Sequence, residues 1–291
     1  MTRRDWLLST LAIAARTVAA APTKSLPVDA VVLDLSTVGN DAPGSRNAVF
    51  EQGSVHTAAL PGSTLKPLIL AALLERKLLK PDERLTCPGG FHLAGHNLEC
   101  SHIHPAPAFD AVDALAASCN YWFATMARRL GAAGVRDVLR HYGLAAQLAP
   151  NLDQAGLQAL GLARVSATPW TLALAYEKLY RSGPPPLVAE GLRAGVERGT
   201  GQRALSGRVS IVGKTGTAHG ERPGTTVGWF AGWAYPVDRN GARPAAQIPQ
   251  TPAGKFSGIV FAVRVPGGTG GGEAADQARS LAERWASGRL H

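Results

Sequence analysis

The sequence has little cysteine and little charge, and no long uninterrupted apolar run. Three Cys in 291 residues are too few to staple a small disulfide scaffold. No stretch of about 18 or more uncharged apolar residues occurs, so nothing reads as a membrane-spanning helix. The 33 Gly have no three-residue period, which excludes collagen. There is no internal repeat, and low complexity is confined to Pro184–Pro186 and Gly267–Gly272. Lys and Arg are scattered and no nucleic-acid motif accompanies them, so DNA or RNA is not an expected partner despite a formal net charge of +9. What is present is a 45% hydrophobic chain, enough to bury a sizeable core in one large domain or two modest ones.

Residues 1–20 read as an export signal. Arg3 and Arg4 form a basic start, Trp6–Ala15 a short apolar stretch, and Val18-Ala19-Ala20 a cleavage site. Thr2 to Leu8 resembles a twin-arginine signal; the basic residue often found late in that motif is missing, which leaves ordinary Sec export open. After it, Val28–Leu35 and Ala48–Phe50 read as strands. From Ser63 the spacing of Leu65, Leu68, Ile69, Leu73 and Leu74 is helical, and a mainly helical pattern runs on to Leu205. Val209–Val212, Thr226–Ala234 and Ser257–Val265 are β-type runs, and Glu273–Ser287 closes as a helix. Strands, then helices, then strands and a helix predict an α+β fold, an antiparallel sheet flanked by helices with an all-helical subdomain inserted at about 67–205.

Three short motifs carry chemistry. In Pro61-Gly62-Ser63-Thr64-Leu65-Lys66, a serine and a lysine three apart at a helix start project from one face. A serine hydroxyl is a weak nucleophile until a base takes its proton, and a desolvated, neutral lysine can do so. Ser118-Cys119-Asn120 offers a hydroxyl for proton relay and an amide for a substrate peptide. Lys214-Thr215-Gly216-Thr217, following the first C-terminal β-run, offers a cation and a hydroxyl to a carboxylate, a glycine for close approach of a ligand, and a backbone N–H for an oxyanion. Each alone is equally a capped helix, a polar turn or a strand end.

Together and in this order they resemble the acyl-serine penicillin-binding transpeptidase and serine β-lactamase superfamily. The resemblance extends to Cys87-Pro88-Gly89 through Cys100 and His104, Ala116 to Phe123, Leu130-Gly131, Ala167-Thr168-Pro169, Gly199-Thr200-Gly201, Gly213 to Ala218 and Trp229 to Gly232, covering about residues 28–270. It implies a β-lactamase/transpeptidase-like fold and one catalytic domain over 21–291. By resemblance, Ser63 attacks a D-Ala-D-Ala stem peptide or a β-lactam, with Lys66 as base, its pKa lowered by burial and by Lys214. Ser118 passes the proton on, and Asn120 holds the substrate amide. Lys214, Thr215 and Thr217 bind the terminal carboxylate, and Gly216 lets the ligand approach the backbone. Trp229, Phe230 and Trp233 lie along one β-run and are expected to pack the sheet, with Trp229 also a candidate for the cleft lining. Metal and organic cofactors are not expected, and the place of work is periplasmic or otherwise extracytoplasmic.

The fate of the acyl-enzyme separates members of this superfamily. The Glu-x-x-Leu-Asn loop of class A β-lactamases is absent: the Glu between Asn120 and Lys214 are Glu177, Glu190 and Glu197, none in that context. Ser63 to Lys66 and Gly228 to Trp233 are mildly class D-like, whereas Asn120 and the Pro61-Gly62 lead-in favour a peptidoglycan enzyme, a D,D-transpeptidase or D,D-carboxypeptidase. A class D-like β-lactamase and a penicillin-sensing module with little turnover are the alternatives.

Cys87, His92, His96, Cys100, His102 and His104 crowd into one short segment. Cys and neutral His are preferred zinc ligands, but the spacing matches no common zinc pattern. An exported protein can oxidise Cys87 and Cys100 to a disulfide. The resemblance favours that disulfide or a reduced structural pair, with metal as the third option.

Overall fold

The computed structural model describes residues 25–35, 48–237 and 258–290; the expected export segment lies outside them. Strands β1 (Asp29–Asp34) and β2 (Ala48–Gln52) are followed by α1 (Lys66–Glu75) and the ribbon β3 (Gly90–Leu93) and β4 (His96–Glu99). Then come α2 (Ala111–Ala116), α3 (Asn120–Ala127), α4 (Gly131–His141), β5 (Ala145–Ala146), α5 (Leu152–Ala159), β6 (Val165–Ser166), α6 (Pro169–Arg181) and α7 (Pro186–Glu197). Three long strands follow, β7 (Val209–His219), β8 (Thr226–Pro236) and β9 (Ile259–Pro266), and then α8 (Ala275–Ala286).

The five long strands form one sheet in the order β2-β1-β9-β8-β7, antiparallel at every step. Side chains alternate between its two faces. Val32, Phe230, Phe261 and Val263 meet Ala275, Ala278 and Leu281 of α8 on one face. Val31, Trp229, Ala231, Trp233 and Ala262 meet the helices of the insertion on the other. Because both faces are covered, β8 and β9 are buried almost throughout and read as near-continuous apolar runs. The α+β fold with an antiparallel sheet flanked by helices is therefore as the sequence predicts.

Two expectations are refined. The insertion is not all-helical: β3 pairs with β4, and β5 with β6, as two short ribbons. The third motif does not follow a strand but lies inside one. β7 pairs with β8 over its whole length, including Lys214 opposite Ala231 and Gly216 opposite Trp229; the sequence run breaks at Gly213 because two glycines and a lysine hide the continuing ladder.

Helix α1 is buried on every side, with Leu68, Ile69, Leu70 and Leu73 fully enclosed, which is why it lacks a polar face. Lys66, its first residue, is thereby drawn into the core. On the same face as Trp229, Arg264 of β9 makes a buried ion pair with Asp29 of β1 at 2.8–2.9 Å and donates to Thr57 O at 2.8 Å. Asp29 Oδ1 in turn accepts from Ser54 N at 2.6 Å, so the pair fixes the loop that leads from β2 towards Ser63.

Candidate active site

Ser63 sits in a tight helical turn, Gly62–Leu65, immediately before α1. Gly62 takes φ +57°, and a Cβ there would come within 2.7 Å of Thr217 O and 3.0 Å of Thr217 N. Only glycine allows this turn to press against β7. Three bonds hold it in place: Gly62 N donates to Gly161 O (3.1 Å), Trp229 Nε1 to Leu60 O (2.9 Å) and, fully buried, Tyr176 Oη to Thr64 O (2.8 Å).

The second motif turns between α2 and α3. Ser118 adopts φ +56°, a left-handed conformation that is uncommon outside glycine, and Cys119 caps α3 by accepting from Trp122 N through its sulfur. This bend turns both the carbonyl and the hydroxyl of Ser118 towards α1. Lys66 Nζ donates to Ser118 O (2.6 Å) and Asn120 Oδ1 (2.8 Å) and lies 3.2 Å from Ser118 Oγ. Asn120 is oriented from its other end, where Nδ2 donates to Glu99 O (3.0 Å). Nζ also stands 5.4 Å from the Phe123 ring centre. Burial lowers the Lys66 pKa to about 7, against an opposing pull from Cys119 and Cys100. A group so placed exchanges protons near neutral pH, as a general base must.

Lys214 is also fully buried, its Nζ donating to Thr215 O (3.1 Å) and Oγ1 (3.3 Å). Its pKa falls well below the usual lysine value, first by burial and then by the charge of Lys66. On Lys66 the dominant cause is burial; repulsion between the amines is mutual and disfavours two protonated lysines at once. Thr215 Oγ1 shares a 2.6 Å bond with Thr200 Oγ1, and Thr217 Oγ1 accepts from Gly270 N (3.0 Å).

Ser63, Ser118, Asn120, Thr215 and Thr217 line one cavity of about 440 Å³. The three motifs, drawn from three parts of the chain, thus meet. A wider groove of about 730 Å³ beside β5 and β6, lined by Arg140, Gln154 and Arg164 among others, holds no motif residue.

Three expected site residues take different places. Trp229 does not line the cleft: it is fully buried, its indole packed under the Ser63 turn and beside Arg264. Gly216 lacks a side chain for the protein's own sake, since a Cβ would approach Pro61 O to 2.5 Å and Thr64 Cγ2 to 2.9 Å. Lys214 stands behind the cavity wall, and the hydroxyls of Thr215 and Thr217 form the surface in front of it. Residues missed as site members are Glu99 and Ser101 at the end of the β3–β4 ribbon, Thr200, and the segment Thr269, Gly271 and Gly272, which complete the wall. Gly199-Thr200-Gly201 was visible as part of the resemblance; the glycine loop carried no signal beyond low complexity. Cys87 and Cys100 are unbonded, their sulfurs 3.6 Å apart.

An antiparallel sheet with a buried lysine meeting a serine–asparagine turn and a Thr-lined strand is the arrangement of an acyl-serine enzyme class. Residues 30–262 match the penicillin binding protein transpeptidase domain, and the chain belongs to that family. It is 26% identical over 286 residues to penicillin-binding protein PbpB of Mycolicibacterium smegmatis, covering 75% of this chain and 44% of that protein. The chain therefore spans less than half the length of that curated relative. In fold it is similar to Pseudomonas aeruginosa PBP2 solved with WCK 5153 (TM-score 0.67, 19% identity, 89% of this chain and 71% of that one). It is equally similar to the D,D-transpeptidase domain of a peptidoglycan glycosyltransferase from Eggerthella lenta (TM-score 0.67, 18% identity, 92% and 80%).

Proposed function

We propose that this chain acylates on Ser63 with peptidoglycan stem peptides ending in D-Ala-D-Ala, as a D,D-transpeptidase or D,D-carboxypeptidase, and that β-lactams are taken as mimics of that substrate. The observation that carries the reading is the fully buried Lys66, with a pKa near 7, bonded to both polar members of the second motif.

Neutral Lys66 accepts the Ser63 hydroxyl proton as Oγ attacks the penultimate D-Ala carbonyl. The backbone N–H groups of Ser63, on the turn that Gly62 lets press against β7, and of Thr217 stabilise the oxyanion. Ser118 Oγ, in contact with Lys66 Nζ, relays the proton to the departing D-Ala nitrogen, and the C–N bond breaks. Thr215 and Thr217 hold the terminal carboxylate with the Lys214 field behind them, and Asn120 holds the peptide amide. An amine of a neighbouring stem, or water, then attacks the ester and releases Ser63. This chemistry is read as extracytoplasmic, in keeping with the expected export signal.

The class D-like alternative needs Lys66 carboxylated in an apolar pocket. Its Nζ instead has three oxygen neighbours, Ser118 O, Ser118 Oγ and Asn120 Oδ1, a polar setting and not an apolar one. A fluorescent penicillin time course tests the reading. A persistent adduct on Ser63, lost in Ser63→Ala, together with D-Ala release from a stem pentapeptide, is expected. Rapid adduct release means a β-lactamase; a stable adduct with no D-Ala release means a sensor. Full labelling of Ser63→Ala refutes the assigned nucleophile.

A further inference from the structure

Beneath the second motif lies a cluster whose side chains take no part in the bond-making steps, although Cys119 and Cys100 oppose the lowering of the Lys66 pKa. Cys87 and Cys100 flank the β3–β4 ribbon, whose closing bond from Cys100 N to Gly89 O (3.0 Å) brings the two together. Cys119 joins them from the start of α3, and His102 from the loop after the ribbon. All three cysteines are buried, and the ligand atoms of the four residues lie within 4.8 Å of one another.

We propose that Cys87, Cys100, Cys119 and His102 form a tetrahedral Cys3His site for zinc. Four ligands around zinc, with Zn–S near 2.3 Å, place neighbouring sulfurs about 3.8 Å apart. The observed separations are 3.6 Å for Cys87–Cys100 and 3.9 Å for Cys100–Cys119. The second, independent observation is His102 Nε2, which is buried and has no hydrogen-bond partner. A buried polar atom without a partner is costly. Its other nitrogen, Nδ1, faces Ile103 O at 3.4 Å, which favours the tautomer that leaves the Nε2 lone pair free for a metal. His104 and Phe109 pack against the ring at 4.4 and 4.8 Å and fix its plane. Two sulfurs accept backbone N–H bonds of 3.4 Å, Cys87 from Gly89 and Cys119 from Trp122, which would orient the thiolates and offset part of their charge.

A Cys87–Cys100 disulfide would engage two sulfurs and leave both Cys119 and the His102 nitrogen unused. Zinc engages all four. On loading, the three thiols release three protons to solvent and the neutral imidazole gives none up, so the finished site carries a net charge of −1. Its consequence is mechanical: Cys119 lies between Ser118 and Asn120, so the metal would tie the left-handed Ser118 turn and the ribbon that supplies Glu99 O into one rigid unit.

The test uses the full chain, without a metal-binding tag, purified without chelator. About one equivalent of zinc by elemental analysis is expected, and zinc should shield three thiols from iodoacetamide. Replacing zinc with Co²⁺ should give the intense visible bands and thiolate charge-transfer absorption of a tetrahedral thiolate site. Cys100→Ser should lose the metal, and His102→Gln should weaken its binding at least tenfold. The shielding experiment needs no variant, so it stands even if Cys100→Ser fails to fold. The proposal is overturned by a Cys87–Cys100 disulfide in the purified protein. It is equally overturned by three thiols alkylated at the same rate with and without excess zinc, or by metal content unchanged in both variants.

Discussion

The pKa of Lys66 sets a testable rate law for acylation. Burial lowers it from 10.5 to about 7. At pH 7 about half of such amines are neutral, against about one in 3,000 for a lysine in water, a gain of about 10³ in competent base. Below the pKa, the acylation rate should therefore rise about tenfold per pH unit, and it should level off above about pH 7. The assay is the pseudo-first-order rate of labelling with a fluorescent penicillin between about pH 5 and 9. Lys66→Arg, which holds its proton throughout, should lower the plateau by about 10² to 10⁴ and abolish the inflection. The same shift bears on stability. Between about pH 7 and 10.5 the unfolded chain binds the proton and the folded one does not, so this residue's contribution to stability rises with pH across that window. Below about pH 7 the full cost of the buried ammonium, about 5 kcal/mol, is present. A flat rate profile, an inflection near 10, or a fully active Lys66→Arg would refute the assignment of Lys66 as the base.

Arg264→Met should cost about 3–5 kcal/mol in chemical denaturation by leaving Asp29 buried and unpaired, and adding Asp29→Asn should restore much of it. Tyr176→Phe should cost about 1–3 kcal/mol, because the buried Thr64 carbonyl loses its donor; a loss below a few tenths would show that the bond is redundant. Gly216→Ala should slow acylation while the protein stays folded by circular dichroism, since the new Cβ meets Pro61 O at 2.5 Å and pushes the Ser63 turn off β7; unchanged labelling would mean the turn gives way freely.

The sheet was legible chiefly through β1, β8 and β9, which are apolar on both faces, and the nucleophile turn because its serine and lysine occur together with the two later motifs in order. The motifs themselves were legible as residue types. Their depth was not. Lys66 looks like a polar first residue of a helix, yet the all-apolar α1 pulls it to full burial. Gly216 reads as a cleft residue because a glycine lets a ligand come close to the strand, and Trp229 because it lies on the neighbouring β-run. Which face of β7 and β8 each occupies depends on the Ser63 turn docking there, a contact between residues far apart in sequence. Thr200 escaped for the same reason: only the fold brings its hydroxyl to Thr215. The cysteine and histidine spacing gave no zinc pattern because the third sulfur, that of Cys119, comes from the second motif, outside the ribbon segment.

The centre of the domain holds two buried amines, and among the described residues no carboxylate perturbs either of them. That is an unstable way to build a core, since a buried charge without an opposite partner is strongly disfavoured. A carboxylate beside Lys66 would relieve the cost, but it would also stabilise the ammonium and return the pKa towards that of free lysine. The amine would then hold its proton at neutral pH and fail as a base. Neutral acceptors solve the conflict: Ser118 O and Asn120 Oδ1 fix the Nζ position by hydrogen bonds without supplying a full negative charge. On this argument Asn120→Asp is more damaging than loss of one hydrogen bond warrants. It should move the acylation inflection above pH 7 and raise thermal stability at neutral pH, whereas Asn120→Ala should lower the rate without moving the inflection upward. If both variants keep the inflection near 7, neutrality at this position is not what tunes the lysine.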